Sequence, residues 1–192
     1  AGRAAAGLVD ALGEDAGVDP AAADRGAVAL HLAERGERLP GLQSLIRFCR
    51  IEDCALNVEL KPAPGTEYET GRVVARMLER EWRGRLPPLL SSFRLEALQG
   101  ARAGAPSLPR ALLVSSPFPD CLRLVQEQGC VALVAGHEHI TPLFVEQVRA
   151  AGLALLSYTV NDEAEARRLL RLGLQGLITD CVDRFGPGIH AA

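Results

Sequence analysis

From residue 40 onward, the apolar positions switch repeatedly between a period near 3.6 and a period of two, the signature of helices alternating with strands. Pro40, at a first helical turn, precedes Leu42, Leu45, Ile46 and Cys49 on one face, a helix that ends before an alternating strand at 55–61. Thr66 and Glu69 have capping-box spacing, which predicts a helix through about Glu81, and the run PPLLSSF at 87–93 reads as the next strand. The rhythm then repeats: helix 94–103 and strand 110–115, helix 119–128 and strand 130–135, helix 142–151 and strand 153–160. Thr141 followed by Pro142 is a good helix start and Gly152 a good stop. Asp162 with Glu165 opens the last helix, Gly173 ends it, and 174–179 is the final strand. Six strands joined by helical crossovers imply an α/β fold with parallel strands.

Residues 1–39 break this rhythm. They are rich in Ala, Gly and Asp, with weak periodicity apart from a short helical stretch near 27–35, and they read as an irregular N-terminal segment. The α/β domain then occupies 40–185, with a tail at 186–192.

At 192 residues, 48% of them hydrophobic, the chain is long enough to bury a real core as one domain. Its net charge of −3 favours no nucleic-acid partner. No apolar run approaches 18 residues and no basic-then-apolar leader opens the chain, so the expectation is a soluble, cytoplasmic protein without a membrane partner. Five cysteines, an odd number without C-x-x-C spacing, fit reduced core residues.

The chemistry concentrates at 55–61. Alternation puts Asn57, Glu59 and Lys61 on one face of the strand and Val58 and Leu60 on the other. Both faces of a parallel sheet are usually buried, so a carboxylate and an ammonium there need a partner or an ion. On the residues alone, Glu59 and Lys61 read first as a mutually satisfied pair at a strand end. His137 and His139, at i and i+2 on an extended segment, would share a face and could meet a transition metal, but with no third ligand evident a loop is the preferred reading.

Four segments, in order, resemble the glycerophosphodiester phosphodiesterases, most closely the bacterial cytosolic type: Asn-Val-Glu-Leu-Lys-Pro at 57–62, Leu-Ser-Ser-Phe at 90–93, Tyr-Thr-Val-Asn-Asp at 158–162, and Gly-Leu-Ile-Thr-Asp at 176–180. The segment Glu-Arg-Leu-Pro-Gly-Leu at 37–42 is similar to the one that precedes the first of these strands. The resemblance implies a TIM (β/α)₈-type barrel of the phosphatidylinositol-phosphodiesterase-like kind, with catalytic groups at the carboxyl ends of the strands. Family members open with strands bearing His-Arg-Gly, Glu-x-Asp and His-Asp motifs, none of which occurs here. The expectation is therefore an incomplete barrel, about six of eight strands, missing its N-terminal pair.

The implied reaction is hydrolysis of a glycerophosphodiester to an alcohol and sn-glycerol 3-phosphate. Two histidines act as general acid and base, and a divalent cation, Ca²⁺ or Mg²⁺, polarises the phosphoryl oxygens. By position, Glu59 is a metal ligand and Lys61 a catalytic point charge that also binds the phosphate. Ser92, Tyr158, Asn161 and Asp180 are substrate-binding candidates, Tyr158 at a place where the family has an aromatic wall. Each has a plainer alternative: Ser91 and Ser92 satisfying local backbone groups, Tyr158 in the core, Asn161 and Asp162 as helix caps, Asp180 capping the chain. One carboxylate holds a hard cation weakly, so this chain alone is expected to bind metal poorly and to be inactive. The alternative functions are a catalytically dead barrel remnant that binds a phosphate ligand or a protein, and an unrelated phosphate-handling barrel. Open barrel edges would favour self-association.

Overall fold

The computed structural model describes residues 40–181 and 184–185; the expected helix at 27–35, the rest of segment 1–39, His31, His190 and the tail at 186–192 lie outside them. Six parallel strands form one sheet in chain order: β1 (Asn57–Glu59), β2 (Leu89–Ser92), β3 (Arg110–Val114), β4 (Ala132–Gly136), β5 (Ala154–Tyr158) and β6 (Gly176–Leu177). The helices are α1 (Leu42–Ile51), α2 (Glu67–Glu81), α3 (Leu95–Gly104), α4 (Cys121–Glu127), α5 (Pro142–Ala150) and α6 (Glu163–Leu172), one between each pair of strands and one before the first. Sequential parallel order with a helix in every crossover is the arrangement of an open, incomplete (β/α) barrel, as the sequence predicted.

Strand parity separates two layers. Val58 and Leu90 pack with Ala75, Leu78 and Trp82 of the helical layer, and Leu112, Val114, Leu133 and Leu155 pack with Val125, Val148 and Leu169. The opposite parity forms a cluster drawn almost entirely from strands, Ala111, Leu113, Ala132 and Val134 with Leu156, Tyr158 and Ile178 against them: the interior of the barrel. Register carries β1 into that interior, because Glu59 pairs with Ser91, Ser91 with Ala111, and Ala111 with Ala132.

The helix signals hold with three corrections. Thr141 accepts a hydrogen bond from Phe144 N with Pro142 behind it, Asp162 accepts one from Glu165 N, and Gly173 leaves α6 at φ 96°. Pro40, by contrast, lies outside α1, whose N-cap is Gly41. The capping box at Thr66 does not form: its hydroxyl donates to Ala63 O at 2.7 Å, and Glu69 is taken by Arg72. His137–His139 is a turn of 3₁₀-helix instead of an extended segment, which rotates the two histidines off a common face.

The α2–α3 contact is backbone to backbone. A methyl group on Gly71 would come within 1.9 Å of Ala97 O, and one on Gly100 within 1.9 Å of Tyr68 O. Only glycine allows the two helices to lie this close.

Candidate active site

The interior face leads, at the carboxyl ends of the strands, to the polar residues the sequence pointed to. Glu59 ends β1, and Lys61 follows just beyond it with Nζ 3.8 Å from Glu59 Oε1. Both side chains are about a third exposed, so the pair opens onto the barrel mouth. One layer below, Asn57 Oδ1 accepts a hydrogen bond from Ser91 Oγ at 3.1 Å, which fixes the amide against β2.

Tyr158 stands across the mouth at the end of β5. Its hydroxyl donates to Val114 O at 3.1 Å, and Phe93 meets its ring edge-on with centroids 5.9 Å apart. Burial pushes its phenol pKa up, a hydrogen bond with Ser115 acts the other way, and the charge of Glu59 adds to the rise. Tyr158 and the Glu59 carboxylate therefore share one electrostatic environment. Phe93 also lines a crevice of about 290 Å³ with Leu113, Ser115, Ser116 and Phe118.

Asn161 and Asp180 close the far side and bind each other. Asn161 Nδ2 donates to Asp180 Oδ2 at 3.2 Å, while its Oδ1 accepts from Thr179 Oγ1 and Asp180 N, both at 3.0 Å. This one side chain stitches the β5 exit to the β6 exit. Asn161 lies outside α6, and the cap belongs to Asp162.

Ser92 stands apart from the others. Parity puts it with Leu90 on the helical side, fully buried, with its hydroxyl donating to Leu60 O at 2.8 Å and accepting from Arg94 N at 3.1 Å. The serine that faces the interior is Ser91. Phe93, Ser115 and Thr179 are mouth residues to which sequence reasoning assigned no role; Phe93 and Thr179 fall inside the segments 90–93 and 176–180 that carry the family resemblance, and Ser115 falls in none of them.

Nearby on the same rim, Glu165 is bound by Arg168 at 2.7 and 2.6 Å and lies 3.3 Å from His137 Nδ1. The Arg168 hydrogen bonds, above all, hold the Glu165 carboxyl below its usual range. No group of three or more His, Cys, Asp or Glu side chains placed to hold a metal occurs among the described residues. A hard cation wants about six oxygen ligands and usually several carboxylates. At the mouth Asp180 is engaged by Asn161 and Glu165 by Arg168, and neither forms a ligand group with Glu59, so the described residues do not by themselves fit such an ion.

An open parallel barrel with polar side chains gathered at its carboxyl rim has the architecture of the TIM-barrel class, in which sites are built at that end. The Glycerophosphoryl diester phosphodiesterase family model matches residues 15–184, and the chain belongs to that family. It is 26% identical over 149 residues to a glycerophosphodiester phosphodiesterase of Caldanaerobacter subterraneus, a match that covers 76% of this chain and 59% of that protein. It superposes with a TM-score of 0.71 and 31% identity on a phosphodiesterase of Oleispira antarctica solved with the product sn-glycerol-3-phosphate, covering 74% of this chain and 58% of the other. A Thermotoga maritima glycerophosphodiester phosphodiesterase shares the fold, with a TM-score of 0.59 at 19% identity. The chain thus spans less than two thirds of the length of the relatives it matches.

Proposed function

We propose that these residues form the carboxyl-terminal part of a phosphodiesterase that hydrolyses glycerophosphodiesters to an alcohol and sn-glycerol 3-phosphate. The observation that supports it most is the convergence of Glu59, Lys61 and Tyr158 on one mouth of a barrel of this family. Lys61 offers a compact, rotatable cation for a phosphoryl oxygen. Tyr158 and Phe93 present an apolar wall for the carbon side of glycerol, and Asn161 with Asp180 offers donors and acceptors to its hydroxyls. Glu59 supplies one carboxylate to a cation site, Ca²⁺ or Mg²⁺, whose other ligands come from strands absent from this sequence. The acid–base histidines come from the same strands.

It follows that the 192-residue chain alone does not turn over. Loss of general acid–base catalysis alone costs about 10²–10⁴-fold. The edges of β1 and β6 have no strand partner among the described residues, which supports self-association of this chain, measurable by size-exclusion chromatography. The five cysteines are all free thiols, in keeping with a cytoplasmic setting. The test is hydrolysis of glycerophosphocholine by the chain alone and by the chain joined to the N-terminal strand pair of the Oleispira phosphodiesterase. The isolated chain stays at background and the joined protein turns over. Robust metal-dependent turnover by the isolated chain would overturn the reading.

A further inference from the structure

At the opposite end of the barrel a cation is buried without an anion. Arg110 opens β3 and is only 6% exposed. Its Nη1 donates to Leu108 O at 2.8 Å and Pro106 O at 3.4 Å, and its Nη2 to Gly129 O at 3.0 Å. All three acceptors are neutral carbonyls, and its Nε is buried with no hydrogen-bond partner. These bonds clamp two loops together but do not balance the charge.

Desolvation is the main cause that pushes the Arg110 pKa down, and Arg102, exposed in the last turn of α3, adds to it as a like charge. Cys130 cannot supply the missing anion, because burial pushes its thiol up to about 11 despite both arginines. Glu127, the closest carboxylate in sequence to Gly129, is taken by Arg123.

The two guanidiniums converge on one glycine. Gly129 takes φ +64° and carries no side chain; a Cβ built there would have Arg110 Nη2 at 3.6 Å, Arg102 Nη1 at 3.7 Å and Arg102 Cζ at 3.8 Å as its three nearest heavy atoms. Two guanidinium groups flanking one bare glycine, neither of them ion-paired with a carboxylate among the described residues, are the environment that a multiply charged oxyanion satisfies with charge-assisted hydrogen bonds.

We infer that Arg110 and Arg102, across Gly129, form an oxyanion site at the amino-terminal end of the barrel, separate from the catalytic mouth, whose ligand is a phosphate dianion, either free or carried on a phosphomonoester. Arg110 is the fixed, desolvated half of the site, held by its three carbonyls. Arg102 is the movable half that closes on the ligand from solvent.

The test uses the 192-residue chain carrying Lys61→Ala, so that the catalytic mouth does not capture the anion. Inorganic phosphate and sn-glycerol 3-phosphate are titrated separately by calorimetry at low salt. Saturable binding is expected, weakening as salt rises, and Arg102→Ala should weaken it at least tenfold while Arg102→Lys retains part of it. Arg102 makes no hydrogen bond or ion pair among the described residues, so its replacement leaves the fold intact; an unchanged thermal midpoint verifies this. Equal affinity for the two ligands identifies the phosphoryl group alone as the ligand, and tighter binding of the glycerol ester identifies a phosphomonoester. Absence of saturable binding in the Lys61→Ala chain, or identical binding after Arg102→Ala, overturns the inference. Neither result bears on the phosphodiesterase activity, which rests on the other end of the barrel.

Discussion

Replacing Gly100 by alanine should destabilise the protein although alanine is the better helix former. On propensity alone, a glycine inside a helix costs about 1 kcal/mol relative to alanine, so the change would stabilise α3 by that amount. The structure opposes this. The new methyl would sit 1.9 Å from Tyr68 O, and contacts under 3.0 Å are essentially never seen, so α2 and α3 would have to part by more than 1 Å at that point. The obstacle is backbone, which cannot swing aside. Separation there also loosens the Gly71 and Gly104 approaches and the fully buried Ala75, Leu78, Ala97 and Ala101 beneath them. Overpacking of this kind costs about 3 kcal/mol at the upper end of its usual range, so the net loss is about 2 kcal/mol. For a chain of this size that lowers the thermal midpoint by about 4–8 °C. The assay is urea unfolding followed by the fluorescence of Trp82, the single tryptophan, which packs in the same cluster. An unchanged or raised midpoint would show that α2 and α3 do not meet backbone to backbone at Gly100.

Ser92→Ala removes the buried partner of Leu60 O and Arg94 N and should cost about 1–3 kcal/mol, whereas Ser91→Ala, which loses one hydrogen bond to Asn57, should cost about 1 kcal/mol; parallel denaturant titrations compare them. The Glu165 carboxyl is held low chiefly by the Arg168 hydrogen bonds. A depressed folded-state pKa contributes stability that is present above the ordinary value near 4.5 and is lost as pH falls through the folded one, so Glu165→Gln should flatten the acid limb of a stability-versus-pH curve; equal acid sensitivity of both proteins would contradict it. Cys130, buried and with its thiol pushed up to about 11, should be alkylated by iodoacetamide at pH ~8 far more slowly than the part-exposed Cys54, read by mass spectrometry of the native protein.

Alternation within the strands was the most legible signal. Val58 and Leu60 against Asn57, Glu59 and Lys61 could be read because one face must meet helices and the other the barrel interior. The adjacent serines at 91 and 92 were harder, since parity alone assigns them to opposite faces only once the strand's register is known. Thr66 misled because a hydroxyl three residues before a glutamate can also donate backward, as it does to Ala63 O. The pairing of Asn161 with Thr179 and Asp180 joins residues 18 and 19 apart, and no local pattern announces it. The close approach of α2 and α3 was equally hidden, because Gly71, Gly100 and Gly104 read in isolation as weak points of helices instead of contact surfaces. His137 and His139 lost their common face to a 3₁₀ turn that their spacing did not foretell.

The claim that Glu59 belongs to the reacting centre is tested most directly by kcat for glycerophosphocholine in the chain joined to the N-terminal strand pair of the Oleispira phosphodiesterase, measured for the parent and for Glu59→Gln. The substitution keeps the shape and removes one charge at the mouth, where Glu59 Oε1 lies 3.8 Å from Lys61 Nζ. In Glu59→Gln, kcat should fall about 10²–10³-fold, the scale seen when one preorganised electrostatic group is lost from a reacting centre, with the thermal midpoint nearly unchanged. Full activity in Glu59→Gln would contradict it.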